Sequence, residues 1–361
     1  MKFSEHRGLH LKSSGTTIIP LDMRRPNTVI EDARVLRADY LPNRMVHRDP
    51  QTREIKRNLE PMLEGKTARN MLLYGAPGTG KTTMANYVVD EIQKYSSEVV
   101  SGSVNCWKYP SRFKVYYNIL QDLGVNLIHR TGTPTDELVD KFQSKARKRP
   151  TIVILDEVDQ IEDERILYDF ARMEDVALIM LANKETALYD VDERIRSSLE
   201  GTKDIHFPEY SRDELIDILG DRREWGLRNK AIERNGLRRI AVRSRGDARI
   251  AINSLRIAAE EAEKEDLEEI TSNIIDESIP EAEKENKSKS KEKLTNHQRV
   301  LYDIIEDEGE IKPGKLYEKY EEEIENPKVK RTLRKYLSKM DHYRLIESEG
   351  EGRWRKYMIQ E

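Results

Sequence analysis

The clearest chemistry lies in Gly75-Ala76-Pro77-Gly78-Thr79-Gly80-Lys81-Thr82, followed by Thr83. The run fits the phosphate-loop pattern of Gly, four residues, Gly-Lys, then Ser or Thr. Its glycines let the backbone bend and approach a polyphosphate without a Cβ in the way. Lys81 would place a charge on the outer phosphates, and the Thr82 hydroxyl would face Mg²⁺. Asp156-Glu157 is the second candidate pair. Asp156 has the carboxylate that holds Mg²⁺ in such folds, and Glu157 one that orients or deprotonates an attacking water. The alternative, a solvated start of a loop, does not explain why the pair follows an apolar run. Three further groups are ambiguous from residue type alone. Asn183 is either a ligand to water or γ-phosphate or a plain turn residue. Arg194, with Arg196, is either a guanidinium for a neighbouring subunit's γ-phosphate or a partner of Asp192 and Glu193. Arg249 either closes over a nucleotide or is an ordinary helix residue.

These residues need a scaffold. Met71 to Tyr74 reads as a buried strand ahead of the loop, and Met84, Tyr87, Val88 and Ile92 recur at helical spacing after it. A helix start there aims N–H groups and the positive dipole end at an anion. Further strands are expected at Val99–Val104, Thr151–Leu155, Val176–Leu181 and around Ile205 and Phe207, with helix over most of 111–145. Alternation of strand and helix, most strands apolar on both faces, predicts an α/β fold with a covered parallel sheet. Asp49 is expected to cap a helix with Pro50 first in it. From Ser211 the pattern turns helical, with Glu214 completing a capping box.

The expected organisation is a polar tail over 1–36, a nucleotide-binding domain over 37–208 and a helical lid over 209–280. A charged linker, or solvated helix extension, follows over 281–293, and a terminal domain over 294–361. In that last domain three helices precede a hairpin. Asn326 is expected to cap the third helix and Pro327 to begin it, with Val329, Leu333, Tyr336, Leu337 and Met340 as its buried stripe. Lys328, Lys330, Arg331, Arg334 and Lys335 fall at its start or on another face, and Arg353, Arg355 and Lys356 on the hairpin. This is the pattern of a winged helix-turn-helix, with the third helix in a DNA major groove and the wing at phosphates or the minor groove; the alternative is a winged helix used for protein contacts, its Lys and Arg merely solvated.

The 361 residues suffice for two or three domains; 36% are charged, yet the formal net charge is only −4. DNA contact must therefore come from local patches. Heavy Lys and Glu use fits a thermophile or a salt-tolerant host. Cys106 is the single cysteine, so no internal disulfide forms, and it reads as a small apolar residue. The absence of a signal-peptide core or membrane-length apolar run leads to the expectation of a cytoplasmic, nucleoid-associated protein with no membrane partner.

Several phrases together resemble the archaeal origin-recognition family of replication initiators, AAA+ ATPases with a C-terminal winged helix. They are Asp39-Tyr40-Leu41-Pro42 with His47-Arg48, the phosphate loop, Leu155-Asp156-Glu157-Val158-Asp159, Arg194-Ile195-Arg196-Ser197-Ser198-Leu199, Phe207-Pro208-Glu209-Tyr210 and Gly246-Asp247-Ala248-Arg249. The resemblance implies ATP/ADP with Mg²⁺, held by the loop residues Gly75–Thr83 with Asp156, Tyr210, Arg222 and Arg249. It makes Asn183 the first sensor, Arg249 the second and Arg194 the arginine finger. It implies a weak ATPase used as a switch, origin duplex DNA, the replicative minichromosome-maintenance helicase, and self-association or a paralogue on DNA. After Cys106 the chain departs from the family: Trp107-Lys108-Tyr109-Pro110-Ser111-Arg112-Phe113 stands where an Arg-Gln type sequence is usual. The other reading is a nucleotide-gated winged-helix regulator or signalling ATPase.

Overall fold

Alternation along short apolar strands builds the central sheet. Met71 and Leu73 enter one core and Leu72 the other; Ile152 and Ile154 oppose Val153 and Leu155 in the same way, as Ile179 and Leu181 oppose Leu178 and Met180. Successive side chains of a strand point to opposite faces, so each strand feeds both cores. The structure is a computed structural model and describes residues 28–125, 132–189, 191–350 and 352–360.

In chain order the first unit runs α1 (Asp49–Leu59), β1 (Met71–Tyr74), α2 (Lys81–Tyr95), β2 (Val100–Asn105), α3 (Arg112–Asp122), α4 (Thr135–Ala146), β3 (Thr151–Asp156), α5 (Arg165–Ala171), β4 (Val176–Ala182), α6 (Glu193–Ser198) and β5 (Lys203–His206). The sheet is parallel, in the order β2-β3-β4-β1-β5. All seven residues of β4 are buried. The loop after β1 and the acidic pair Asp156-Glu157 at the end of β3 therefore meet at one carboxyl edge, where ligands of such sheets bind.

Four helices follow: α7 (Arg212–Gly226), α8 (Arg234–Arg243), α9 (Ala248–Lys264) and α10 (Ser272–Glu292). The capping box of Ser211 and Glu214 is present on α7. The stretch 281–292 is part of α10, the helix-extension alternative, with Pro280 inside the helix.

The polar-tail expectation is corrected over its described part. Val29 and Leu36 are buried in the core of these four helices. Ile30 bridges Leu227, and Glu31 N donates to Gly226 O at 2.9 Å. Polar neighbours mask these apolar residues, whose partners lie far along the chain. Four basic residues of that stretch, Arg7, Lys12, Arg24 and Arg25, lie outside the described residues.

The last unit runs α11 (Asn296–Glu308), β6 (Glu310–Ile311), α12 (Pro313–Glu323), α13 (Lys330–His342), β7 (Ile346–Glu349) and β8 (Lys356–Ile359). Its sheet has the order β6-β8-β7, and both of its pairings are antiparallel. This is the helix–strand–helix–helix–hairpin order of a winged helix. The start of α13 is corrected. Lys328 N donates to the Tyr320 hydroxyl and Val329 is extended, so the helix begins at Lys330 and not at Pro327. Val329, expected in the buried stripe, is 70% exposed. At α1 the correction is one residue: Asp49 is the first helical residue, after Arg48.

Candidate nucleotide site

The phosphate loop is shaped by contacts that leave no room for larger residues. Gly80 is left-handed at φ 90° where α2 begins. A Cβ on Gly78 would lie 1.9 Å from Asp247 Oδ1, so the start of α9 rests on the loop. Ala248 N donates to Gly78 O at 3.2 Å, and the Asp247 carboxylate accepts from the N–H groups of Arg249 and Ile250. The Gly-Asp-Ala-Arg phrase thus joins the helical unit to the loop.

Lys81 is buried and its ammonium donates to Gly75 O at 2.7 Å and Ala76 O at 2.9 Å. Burial lowers its pKa to about 8, against the opposing pull of Asp156. Thr82 Oγ1 donates to Asp156 Oδ2 at 3.2 Å. The Asp156 pKa is raised, first by burial and then by the Glu157 charge. Glu157 is 6% exposed and has φ 55°, a left-handed conformation uncommon for a non-glycine residue. Asn183, at the end of β4, donates through Nδ2 to the Tyr343 hydroxyl at 3.0 Å. Lys81, Thr82, Asp156, Glu157, Asn183 and Arg249 all line one cleft of about 1540 Å³.

The set fits a nucleotide with Mg²⁺: a hydroxyl and a carboxylate lie side by side, and this ion keeps waters and phosphate oxygens as its other ligands. Among the described residues no cluster of three His, Cys, Asp or Glu side chains forms a protein-only metal cage.

Other expected residues are placed differently. Tyr210 is buried against Gly80, with the Arg48 guanidinium 3.7 Å from its ring centre. Arg222 lines the cleft, but its guanidinium donates to Val35 O at 2.7 Å and Tyr40 O at 3.3 Å. It ties down the segment before α1. Arg194 is exposed on α6 and borders a separate shallow cleft with Arg112 and Arg165. Lys330, Arg331, Arg334, Lys335 and Arg355 are exposed, and Lys328 is half-buried. Lys356 is not a free cation, because Glu310 lies 2.8 Å away across the small sheet. The Arg353 side chain lies outside the described residues. Cys106 is fully buried, which raises its thiol pKa.

Sequence reading missed a second group of residues. Arg48 is 1% exposed and donates to Thr79 O and Pro208 O, bracing the loop from behind. Lys339 of α13 forms an ion pair with Glu157, and Lys293 lies 3.8 Å from the other carboxylate oxygen. The available signal was spacing: Tyr336 and Lys339 of α13, with Tyr343 just past its end, recur at helical spacing apart from the exposed cations.

A parallel sheet in this order, with a phosphate loop, an acidic pair and a helical lid, defines an AAA+ ATPase. Residues 63–188 match the AAA domain model and residues 216–279 the Cdc6 AAA+ ATPase-type lid domain model. The chain belongs to the archaeal ORC1-type DNA replication protein family. It is 40% identical over 336 residues to ORC1-type DNA replication protein 9 of Halobacterium salinarum, covering 92% of this chain and 95% of that one. It is 40% identical over 311 residues to ORC1-type DNA replication protein 1 of the same organism, covering 85% and 100%. The solved structure of the Aeropyrum pernix ORC1 protein in complex with DNA is similar at a TM-score of 0.74 and 26% identity, covering 92% and 94%. Among the described residues no helix is long and apolar enough to cross a membrane.

Proposed function

We propose that this chain is an ATP-switched DNA replication initiator. It comprises a nucleotide-binding domain (37–208), a lid (209–280), a charged connecting stretch (281–293) and a winged-helix DNA-binding domain (294–361). The observation that carries the reading is the single cleft that gathers Lys81, Thr82, Asp156, Glu157, Asn183 and Arg249. Lys81 and the loop N–H groups hold the phosphates. Thr82 and Asp156 would hold Mg²⁺, whose charge would neutralise the phosphoryl oxygens. Glu157 orients the attacking water and takes its proton, while Asn183 fixes its position. Arg249 reports the nucleotide through the lid, and Arg194 of a neighbouring copy completes the site in trans. Tyr210 packs beneath the loop.

Duplex origin DNA is the proposed partner, bound by Lys328, Lys330, Arg331, Arg334 and Lys335 of the third helix and by Arg353 and Arg355 of the wing. The similar ORC1-type DNA replication proteins and the DNA-bound Aeropyrum pernix ORC1 structure support this direction. The downstream partner is the replicative minichromosome-maintenance helicase, and the place of action the nucleoid. The test is to map genomic fragments retained by the ATP-loaded protein under a salt challenge, because phosphate contacts alone bind tightly in dilute buffer. Enrichment at one or a few loci with repeated inverted elements is expected. Enrichment at many promoters would replace the initiator with a regulator.

A further inference from the structure

Three neighbouring strand ends meet the terminal unit. After β2, Trp107 is 1% exposed and sits in the hydrophobic core of that unit. Its indole Nε1 donates to Gln298 Oε1 at 2.7 Å, and its ring centre lies 4.7 Å from that of Tyr343. Gln298 Oε1 also accepts from Thr295 N, so the acceptor is fixed by the capping box of α11. After β3, Glu157 pairs with Lys339, which also lies 3.6 Å from Asp159, and Glu162 accepts from the Tyr336 hydroxyl at 3.1 Å. After β4, Asn183 donates to Tyr343.

An interface needed only for cohesion could be apolar, since buried ion pairs are seldom the cheaper way to join two surfaces. Here the polar contacts fall on the acidic residue and the amide assigned to handle the attacking water. Lys339 is 4% exposed and its partner Glu157 6%, so water does not separate them. Trp107 is also the residue with which the chain departs from the family pattern.

We propose that the terminal unit is an autoinhibitory latch, in which Lys339 and Tyr343 occupy Glu157 and Asn183 while Trp107 pins the unit down, so that hydrolysis requires its displacement. This rests on the ATPase reading of the cleft. A carboxylate held by an ammonium is a weaker base toward water, and the Asn183 N–H given to the Tyr343 phenol is not given to that water. The same helix carries Lys330, Arg331, Arg334 and Lys335 on its exposed side, so whatever moves α13 also moves the latch.

The test uses the full chain. Of its three tryptophans, Trp225 and Trp354 are 68% and 66% exposed, so W225F/W354F leaves the buried Trp107 as the reporter. In that background Lys339→Met should shift Trp107 emission to the red and raise ATP turnover about tenfold. Tyr336→Phe, which keeps the ring, should do both to a smaller extent, and thermal melting verifies that each variant is folded. A folded Lys339→Met protein with shielded Trp107 and unchanged or lower turnover would overturn the latch. So would a red shift without faster turnover, because the contact would then only join the units. Failure of the parent protein to bind labelled ATP would instead overturn the ATPase reading beneath it.

Discussion

Lys81 and Lys339 both bury an ammonium beside the Asp156–Glu157 pair, yet they arrive there by different routes. Lys81 is delivered by a strand, a loop and a helix that are contiguous in sequence, and its ammonium turns to carbonyls of its own loop. Lys339 is delivered by a helix from the far end of the chain, and its ammonium turns to a carboxylate across an interface. The first wall of the cleft is local and follows from the motif. The second is tertiary and depends on docking. A binding function can reside in the first wall alone, whereas control of that function needs the second.

The largest expected effect breaks the local wall. Lys81→Met should weaken ATP binding by about 3 kcal/mol, roughly a hundredfold, by removing a charge-assisted contact to phosphate; calorimetric titration reads it. The same lysine gives a stability signature without nucleotide. Its folded pKa of about 8 lies below the ordinary 10.5, so between these values the unfolded chain binds a proton that the folded chain has released. Stability should therefore rise with pH across that window, and below it the penalty is fully present. Relative to Lys81→Met, the parent should gain up to about 3 kcal/mol between those pH values in denaturant melts.

Arg222→Ala should cost about 2 kcal/mol of stability by leaving the buried Val35 carbonyl and the half-buried Tyr40 carbonyl without this donor. Nucleotide affinity should change much less, which sharpens the distinction between lining the cleft and serving it. On the exposed side of α13, replacing Arg334 and Lys335 by Ala should lower the slope of log K against log salt by about 0.9 for each lost phosphate contact, read by DNA titration. The smallest effect belongs to Lys356. Because Glu310 already pairs with it at an exposed site, Lys356→Ala should move DNA binding by less than about 0.5 kcal/mol. Arg355→Ala should weaken it more.

The same contrast explains what was legible in the sequence. The phosphate loop, the acidic pair at the end of β3 and Asn183 after β4 are each fixed by residues a few positions away, and strand alternation carries the sheet. The docking of α13 is invisible at that range: Trp107 and Gln298 are 191 residues apart. Trp107 reads as a departure from a family pattern because its pocket belongs to another unit. Asn326 and Pro327 carry good local signals for a helix start, but the Tyr320 hydroxyl holds Lys328 N and delays it. Val29 and Leu36 look like isolated apolar residues in a polar stretch until α7 and its neighbours cover them. Arg222 has the residue type for a nucleotide contact, and only the structure reveals that its guanidinium is engaged with backbone carbonyls.

The most direct test of the central claim, that this cleft binds and hydrolyses ATP through Glu157, is phosphate release by Glu157→Gln measured alongside nucleotide binding. Loss of the base should cut turnover by about a hundredfold or more while ATP still binds. Turnover at the parent rate in that variant would contradict the claim and remove Glu157 from the mechanism.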